Sequence, residues 1–268
     1  MTIFTRLRRK VTIHQPLNLK RSPETVYIPY VPTGKPIPKK GGIDPLFYPP
    51  FENQYNVGQC TMATSCEVRM IDQAMKAQPV IKHSEIFGYN RGVIRMGNPM
   101  EDSGLDGLTM MKVNCEDGLP PEKDWPSDQH KFTDTPPQYI IDRAKLYCAK
   151  RAEKMNGIND VLDCLGNRKE PVFCAAILYQ SFMTEKAAKS GIIPNPGWRW
   201  VDPQIGGHEM TVLSYDKTRK YPYYNGIGYL DLQNHWVRSA NGSKWGDDGK
   251  AHMRIDYPGY MEFWRLIL

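Results

Sequence analysis

The stretch that decides the fold is NQYNVGQCTMATSC, residues 53–66. From Cys60 onward, apolar residues recur at spacings of three and four, which predicts a largely buried helix with Cys60 in its first turn. A thiol becomes a useful nucleophile only when its thiolate is stabilised, and a helix N-terminus contributes to that stabilisation. We therefore predict that Cys60 is a nucleophile, although a buried structural thiol is the alternative. Cys66, further along the same helix, is predicted to be a core residue.

Three side chains elsewhere in the sequence could assist a nucleophile at Cys60. Gln54 shortly precedes it, and its side-chain amide could donate a hydrogen bond to a developing oxyanion. His208 follows two glycines at the start of a predicted strand and is the candidate base. Asn234, at the end of the next strong strand, could accept the other ring N–H of His208, with Trp236 shielding that bond from water. Each has a structural alternative. Gln54 could be a loop residue that caps the helix, His208 an ordinary core or surface histidine, and Asn234 a turn residue.

Three sequence blocks, in this order along the chain, resemble the signature blocks of the papain family of cysteine peptidases. They are the stretch 53–66, GGHEMTVLSYD at 206–216 and LQNHWVRSANGSKWGDDG at 232–249. Between them, EDSGLDGLTMMKVNCEDGLPPEKDWP at 101–126 is similar to a stretch common in bacterial and viral members. The resemblance implies an α+β, papain-like two-lobed fold. An N-terminal helical lobe and a C-terminal antiparallel β lobe would then enclose an active-site cleft between them.

The resemblance also implies a role for each candidate side chain. Gln54 matches the oxyanion-hole donor and Cys60 matches the nucleophile. His208 matches the general base, and Asn234 matches the residue that orients it. Trp236 matches the aromatic residue that covers the histidine and asparagine. This chemistry needs neither a cofactor nor a metal.

The cysteines and two neighbouring positions bear on the compartment. The six cysteines form no CxxC pair and no Cys/His spacing of the zinc type, so we expect reduced thiols. Thr61 and Val57 stand where the best-known papain relatives have tryptophan and a disulfide cysteine, which resembles the disulfide-poor microbial branch. With no secretory leader in the first ten residues and no membrane span, we expect a cytoplasmic or virion-associated protein.

Composition divides the chain into a predicted arm, residues 1–48, and a peptidase domain, residues 49–268. The arm is rich in proline and lysine, which favours extended segments. It carries much of the basic excess behind the formal net charge of +6. The arm could contact nucleic acid, an acidic membrane surface or an acidic partner, could lie in the cleft as a plug, or could be a solvated tail.

Apolar patterning predicts a helical first half, about 55–160, and a β-rich second half, about 165–268. Beyond the helix at Cys60, helices are expected at 84–91, 105–117, 137–155 and 159–166. Strands are expected at 171–179, 209–215, 228–236 and 250–257, with a long loop at 191–207.

The remaining polar motifs have structural interpretations. Asp102-Ser103-Gly104 invites a serine-nucleophile reading, but the pattern is typical of a turn. The other histidines of the domain are expected to be solvated or structural; they are His83, His130, His235 and His252.

Two functions of different classes follow. The first is a cysteine endopeptidase with protein or peptide substrates. The second is a papain-fold structural or binding module, catalytically silent or used once, for instance in a virion. The altered His235-Trp236-Val237 neighbourhood, the insertion before Lys244 and the basic arm motivate it. Isopeptidase, amidase and transpeptidase chemistry would use the same residues, and the sequence leaves the oligomeric state open.

Overall fold

The computed structural model describes residues 28–54, 56–197, 200–221, 227–237 and 243–268. The part of the basic arm that precedes residue 28 lies outside these ranges, so its proposed partners stay predictions.

Helices dominate the first half of the described chain. Ser84 and Asp106 begin two of them, because their side-chain oxygens accept backbone N–H groups of the first turn. The helices in the described residues are α1 (Cys60–Met75), α2 (Glu85–Arg95), α3 (Gly107–Lys112), α4 (Gln138–Lys145), α5 (Ile158–Asp163) and α6 (Glu185–Ser190). A π-helical turn extends α3 over Val113–Asp117, and another extends α5 over Cys164–Arg168.

Strands dominate the second half, and those that the structure describes form one sheet. They are β1 (Ile28–Pro29), β2 (Lys40–Gly42), β3 (Arg151–Met155), β4 (Val172–Tyr179), β5 (Ile192–Ile193), β6 (Gln204–Asp216), β7 (Tyr229–Gln233), β8 (Lys250–Arg254) and β9 (Tyr260–Ile267). The sheet order is β1-β3-β9-β4-β6-β7-β8-β5, with β2 also paired to β6. Neighbours are antiparallel except for the parallel pairs β1/β3 and β5/β8.

Helix α1 lies between the other helices and the sheet. Its residues from Thr61 to Ile71 are all buried. Met62 and Cys66 pack in the core of the helical lobe, whereas Ile71 packs with Leu213 of β6. The predictions of a largely buried helix and of a core position for Cys66 are confirmed.

The predicted helix over residues 137–155 is wrong in its second half. Helix α4 ends at Lys145, and residues 151–155 form β3, which pairs with β9. Arg69 Nη1 donates to the carbonyl of Tyr147 at 2.8 Å, and the N–H of Ala149 donates to Asn114 at 2.8 Å. These contacts satisfy backbone groups that a longer helix would have used. Tertiary pairing thus overrides the local helix propensity.

The two lobes have separate cores. One apolar cluster, which includes Met210, Leu230 and Met253, lies within the β lobe. The other includes Met62 and Val93 of the helical lobe and packs against the sheet through Phe173, Trp264 and Leu266. The predicted α+β architecture, with a helical lobe and a β lobe, is confirmed.

The described end of the arm lies on the β lobe. Strand β1 pairs with β3, and β2 pairs with β6. Tyr30 Oη donates to Asp163 at 2.7 Å, and the N–H of Thr33 donates to the same carboxylate at 2.9 Å. Gly41 approaches so closely that a Cβ there would lie 2.6 Å from the Cα of Gly166. Only glycine fits at this point of the strand pairing.

Candidate active site

The loop before Cys60 is held by a polar contact that sequence analysis missed. The N–H of Gly58 donates to Asp102 Oδ1 at 2.8 Å, and Tyr89 Oη donates to the same oxygen at 2.5 Å. The N–H of Gly104 in turn donates to Tyr89 Oη at 2.9 Å. Asp102 therefore supports the loop that leads into α1. In the sequence, Asp102 is visible only as an acidic residue directly before Ser103-Gly104. Its partner, Gly58, lies 44 residues away.

Cys60 is the first residue of α1 and is partly exposed. Burial of its surroundings raises the pKa of the Cys60 thiol to about 12. The backbone N–H of Glu209, the residue that follows His208, hydrogen-bonds the sulfur and lowers the same pKa. The helix N-terminus and the start of β6 thus meet at the sulfur.

His208 and Asn234 are in contact, as predicted from the sequence. His208 Nε2 lies 2.9 Å from Asn234 Oδ1, and both side chains are buried. Because an amide oxygen can only accept, Nε2 carries the proton in this contact. A neutral ring then leaves Nδ1 as a proton acceptor. The neighbouring N–H of His235 donates to the same Asn234 oxygen at 2.8 Å, which fixes the orientation of the amide.

The surroundings of His208 favour the neutral ring. Burial and, to a smaller extent, the nearby ring of His235 lower the pKa of His208, and the contact with Asn234 opposes them; together these effects bring the pKa to about 3. The same burial raises the pKa of the Cys60 thiol. Both shifts favour the uncharged forms, a thiol at Cys60 and a neutral imidazole at His208.

Trp236 covers the histidine, as the sequence predicted. The rings of Trp236 and His208 are 4.4 Å apart between centroids, and Trp236 is itself buried. Phe182 packs edge-on against Trp236 and stacks on Trp245 at 4.6 Å. The aromatic cluster excludes water from one side of the contact between His208 and Asn234.

Gln54 is buried in the loop ahead of α1. Its backbone N–H donates to the carbonyl of His235 at 3.1 Å, which ties this loop to the segment that carries Asn234. Its side-chain Nε2 donates to the carbonyl of Val57 at 3.2 Å, so one of the two amide hydrogens is engaged. Within the described residues, Gln54 Oε1 has no hydrogen-bond partner. Tyr55 and residues 238–242, the predicted insertion, lie outside the described residues.

A buried carboxyl group close to Cys60 also escaped sequence analysis. Glu209 follows His208 on β6 and is buried. Burial raises the pKa of Glu209 well above its ordinary value, and Glu262 adds to the rise. A charged residue inside an apolar strand could have drawn attention, but only the fold shows that Glu209 lies next to Cys60.

Three further properties concern the part of the chain that the structure covers. None of the cysteines forms a disulfide; all six are free thiols within the described ranges. Within those ranges no helix is long and apolar enough to cross a membrane, and no group of His, Cys, Asp and Glu has the arrangement of a metal site.

Cys60 begins a helix of one lobe, and His208 and Asn234 are in contact in the other lobe, which is the arrangement of the papain-like fold that the sequence predicted. The structure is similar to that of xylellain, a cysteine protease from Xylella fastidiosa, with a TM-score of 0.78 and 20% sequence identity over 95% of this chain and 94% of that chain.

It is also similar to procathepsin L 3 of the Tenebrio molitor larval midgut, with a TM-score of 0.69 and 14% identity over 99% of this chain and 79% of that chain. For a recombinant stem bromelain precursor, the TM-score is 0.62 and the identity 16%, over 87% of this chain and 71% of that chain. No protein-family model matches the sequence, and a search of curated proteins gives no match. At these identities the likeness establishes the fold.

Proposed function

We propose that the chain is a papain-like cysteine peptidase that uses Cys60, His208 and Asn234, with Gln54 as an oxyanion-hole donor. The observation that carries the proposal is the 2.9 Å contact between His208 Nε2 and Asn234 Oδ1, together with a cysteine at a helix N-terminus that lies next to Glu209, the chain neighbour of His208. The papain-like fold supports the same assignment. The substrate would be a protein or peptide.

In the proposed reaction, Cys60 Sγ attacks the carbonyl carbon of a peptide bond while His208 Nδ1 takes the thiol proton. The side-chain amide of Gln54 and the N–H of Cys60 stabilise the oxyanion. The imidazolium then gives its proton to the leaving nitrogen as the C–N bond breaks. Water attacks the resulting thioester, His208 takes a proton from the water, and the C–S bond breaks to release the acid. The proton returns to Cys60.

The pKa shifts bear on the timing of the first step. Because burial raises the pKa of Cys60 to about 12 and lowers that of His208 to about 3, a stable thiolate and imidazolium are disfavoured before substrate binds. Proton transfer from sulfur to nitrogen would then accompany the attack on the carbonyl. The role of Asn234 is to hold the ring so that Nδ1 faces the sulfur during this transfer.

A second candidate function, a silent or single-use binding module, is supported by the same shifts. An uncharged thiol is a weak nucleophile, and one amide hydrogen of Gln54 is already engaged by Val57. Isopeptidase, amidase and transpeptidase reactions would share the proposed machinery. Contacts of the basic arm with nucleic acid or an acidic partner form a separate proposal, and loss of salt-dependent binding after deletion of residues 1–27 would test it.

The decisive experiment is labelling of the intact protein with an epoxide-type inhibitor of thiol peptidases, read by mass spectrometry. We expect a single adduct at Cys60 in the wild type, none in Cys60→Ala, and at most slow labelling in His208→Ala. Cys66 is a matched internal control, because it is a buried thiol on the same helix. Absence of an adduct, or equal labelling of several cysteines, would favour the binding module.

A further inference from the structure

A carboxyl group and an imidazole lie beneath the candidate active site, and neither belongs to the machinery described above. Glu67 follows Cys60 by about two helical turns, so it lies on the same side of α1. His235 directly follows Asn234. The side chains of Glu67 and His235 are both completely buried. Their atoms Oε2 and Nε2 lie 3.0 Å apart.

The pair joins the nucleophile helix to the segment that carries Asn234. Thr211 of β6 donates from Oγ1 to Glu67 Oε2 at 2.7 Å, so the same carboxyl oxygen contacts a second element. The geometry of this contact is not that of a well-aligned hydrogen bond, although the two atoms lie within ion-pair distance. Within the described residues, Glu67 Oε1 and His235 Nδ1 have no hydrogen-bond partner. Among the described residues, no other hydrogen bond or ion pair links α1 directly to this segment.

The backbone of His235 contacts two of the candidate active-site residues. Its N–H donates to Asn234 Oδ1 at 2.8 Å, the oxygen that also contacts His208. Its carbonyl accepts the N–H of Gln54 at 3.1 Å. A displacement of His235 would therefore move both the orienting oxygen and the loop of the oxyanion donor.

A stabilising role alone does not account for this pair. Removing a carboxyl group and an imidazole from water has a large desolvation penalty, and apolar residues of similar size are often as stable or more stable. Here the two groups are completely buried, and one carboxyl oxygen has no partner. Such a pair sets the distance between α1 and the segment at Asn234. Apolar packing would set this distance less precisely.

We infer that Glu67 and His235 are positioning residues of the active site. They fix the segment at Asn234 relative to α1, so that His208 and Gln54 are held correctly with respect to Cys60. The inference rests on the proposed peptidase function. A misplacement of about 1 Å can reduce catalysis by as much as about a hundredfold, so the positioning role has a measurable effect on turnover.

The test is a double-mutant cycle with Glu67→Gln, His235→Gln and both together, in the full chain. Turnover of a peptide substrate and the rate of Cys60 alkylation by iodoacetamide are measured. Each single variant should lower kcat by about tenfold and leave KM within about twofold, because the substrate-binding surface is unchanged. The double variant should be no worse than the worse single variant, since all three lose the same contact. Single variants with wild-type kcat, or losses that multiply in the double variant, would overturn the inference.

Two controls separate positioning from general destabilisation. His252→Gln removes an imidazole that lies 2.7 Å from Asp231 in the β lobe, a buried pair of the same kind. It should lower the thermal midpoint without lowering kcat, and an equal fall in kcat would count against positioning. Thr211→Val keeps the shape of the side chain but removes the hydroxyl on Glu67, and should lower kcat by about threefold. Thr211→Val replaces His235→Gln in the test if that variant does not fold. An unchanged kcat in both Thr211→Val and Glu67→Gln would refute the inference.

The outcomes also distinguish this inference from the proposed function. If the wild type hydrolyses no peptide, the peptidase proposal fails. The positioning inference is then decided by Cys60 alkylation, which should still be slower in Glu67→Gln than in wild type and His252→Gln.

Discussion

Two buried histidines of this chain have opposite surroundings. His208, in the cleft, contacts the neutral amide oxygen of Asn234 at 2.9 Å. His252, in the β lobe, lies 2.7 Å from Asp231 and 3.2 Å from Asp247. We call Cys60, His208 and Asn234 the cleft network. The β-lobe network consists of Ser214, Arg219, Asp231 and His252.

The two networks differ in how fully their hydrogen bonds are satisfied. Both oxygens of Asp231 accept, from His252 and Arg219 on one side and from Ser214 at 2.6 Å and Arg219 at 2.9 Å on the other. In the cleft, by contrast, Asn234 Nδ2 has no partner among the described residues. A saturated polar network rigidifies a fold, whereas groups left unsatisfied are available for a ligand or a reaction.

Among the variants considered, Cys60→Ala in the cleft network should have the largest effect, which is on the rate of peptide hydrolysis. Because Cys60 is the proposed nucleophile and none of the other cysteines begins an α-helix of the described residues, peptide hydrolysis should fall by at least about a thousandfold. The thermal midpoint should change little, since the side chain is small and partly exposed. Activity assays and calorimetry of the same preparation check both points. Residual turnover near the wild-type rate would show that another residue is the nucleophile.

Exchange of Asn234 would make the partner of His208 resemble that of His252. Asn234→Ala removes the acceptor and should lower kcat/KM by about a hundredfold, because the imidazole loses its orientation. Asn234→Asp supplies a carboxylate, which favours the imidazolium and should raise the pKa of His208 by about 1 to 3. NMR titration of the His208 ring measures this pKa. A pKa that stays at the wild-type value in Asn234→Asp would contradict the contact.

Loss of the β-lobe carboxylate should affect stability and spare chemistry. Asp231→Asn leaves Arg219 and His252 without their common charged partner and should destabilise the fold by about 3 kcal/mol. Urea denaturation measures the free energy of unfolding. Asp247→Asn is the matched control, because its side chain is 65% exposed and its contact with His252 should contribute less than about 1 kcal/mol. Equal effects of the two variants would show that Asp231 is not the centre of the network.

A smaller effect concerns Asp163, where the described end of the arm is held. Burial opposes ionisation, but hydrogen bonds from Thr33, Asn167 and Tyr30 outweigh it and lower the pKa of Asp163 to about 2. A lowered carboxyl pKa stabilises the folded chain above the ordinary value near 4, and this contribution is lost as the pH falls towards 2.

Hydrogen exchange measures that effect of acid directly. Exchange at residues 28–36 should become faster between pH 4 and pH 2 in the wild type. In Asp163→Asn it should be fast throughout, with little dependence on pH beyond the intrinsic chemistry. Protection that persists at pH 2 in the wild type would contradict the assignment.

Local patterns predicted the elements that carry the site. Apolar residues at spacings of three and four after Cys60 predicted a helix, and the apolar runs around His208 and Asn234 predicted strands. The contact between His208 and Asn234 was anticipated because the residues matched a known arrangement. Periodicity alone would not have paired them.

Long-range contacts explain what local patterns could not predict. Residues 151–155 have a helix-compatible sequence, but pairing with β9 makes them a strand. Glu67, Thr211 and His235 come from three separate parts of the chain, and each is an ordinary polar residue in its local context. Their burial and proximity exist only after the lobes pack.

The position of the first described strands bears on the order of folding. Tyr30 and Asp163 are 133 residues apart in the chain, and β2 pairs with the still more distant β6. During synthesis, residues 28–42 therefore leave the ribosome long before the strands that will hold them exist. Contacts of such high sequence separation form slowly. The last steps of folding should therefore attach residues 28–42, and in these steps β2 pairs with β6, the strand on which His208 lies.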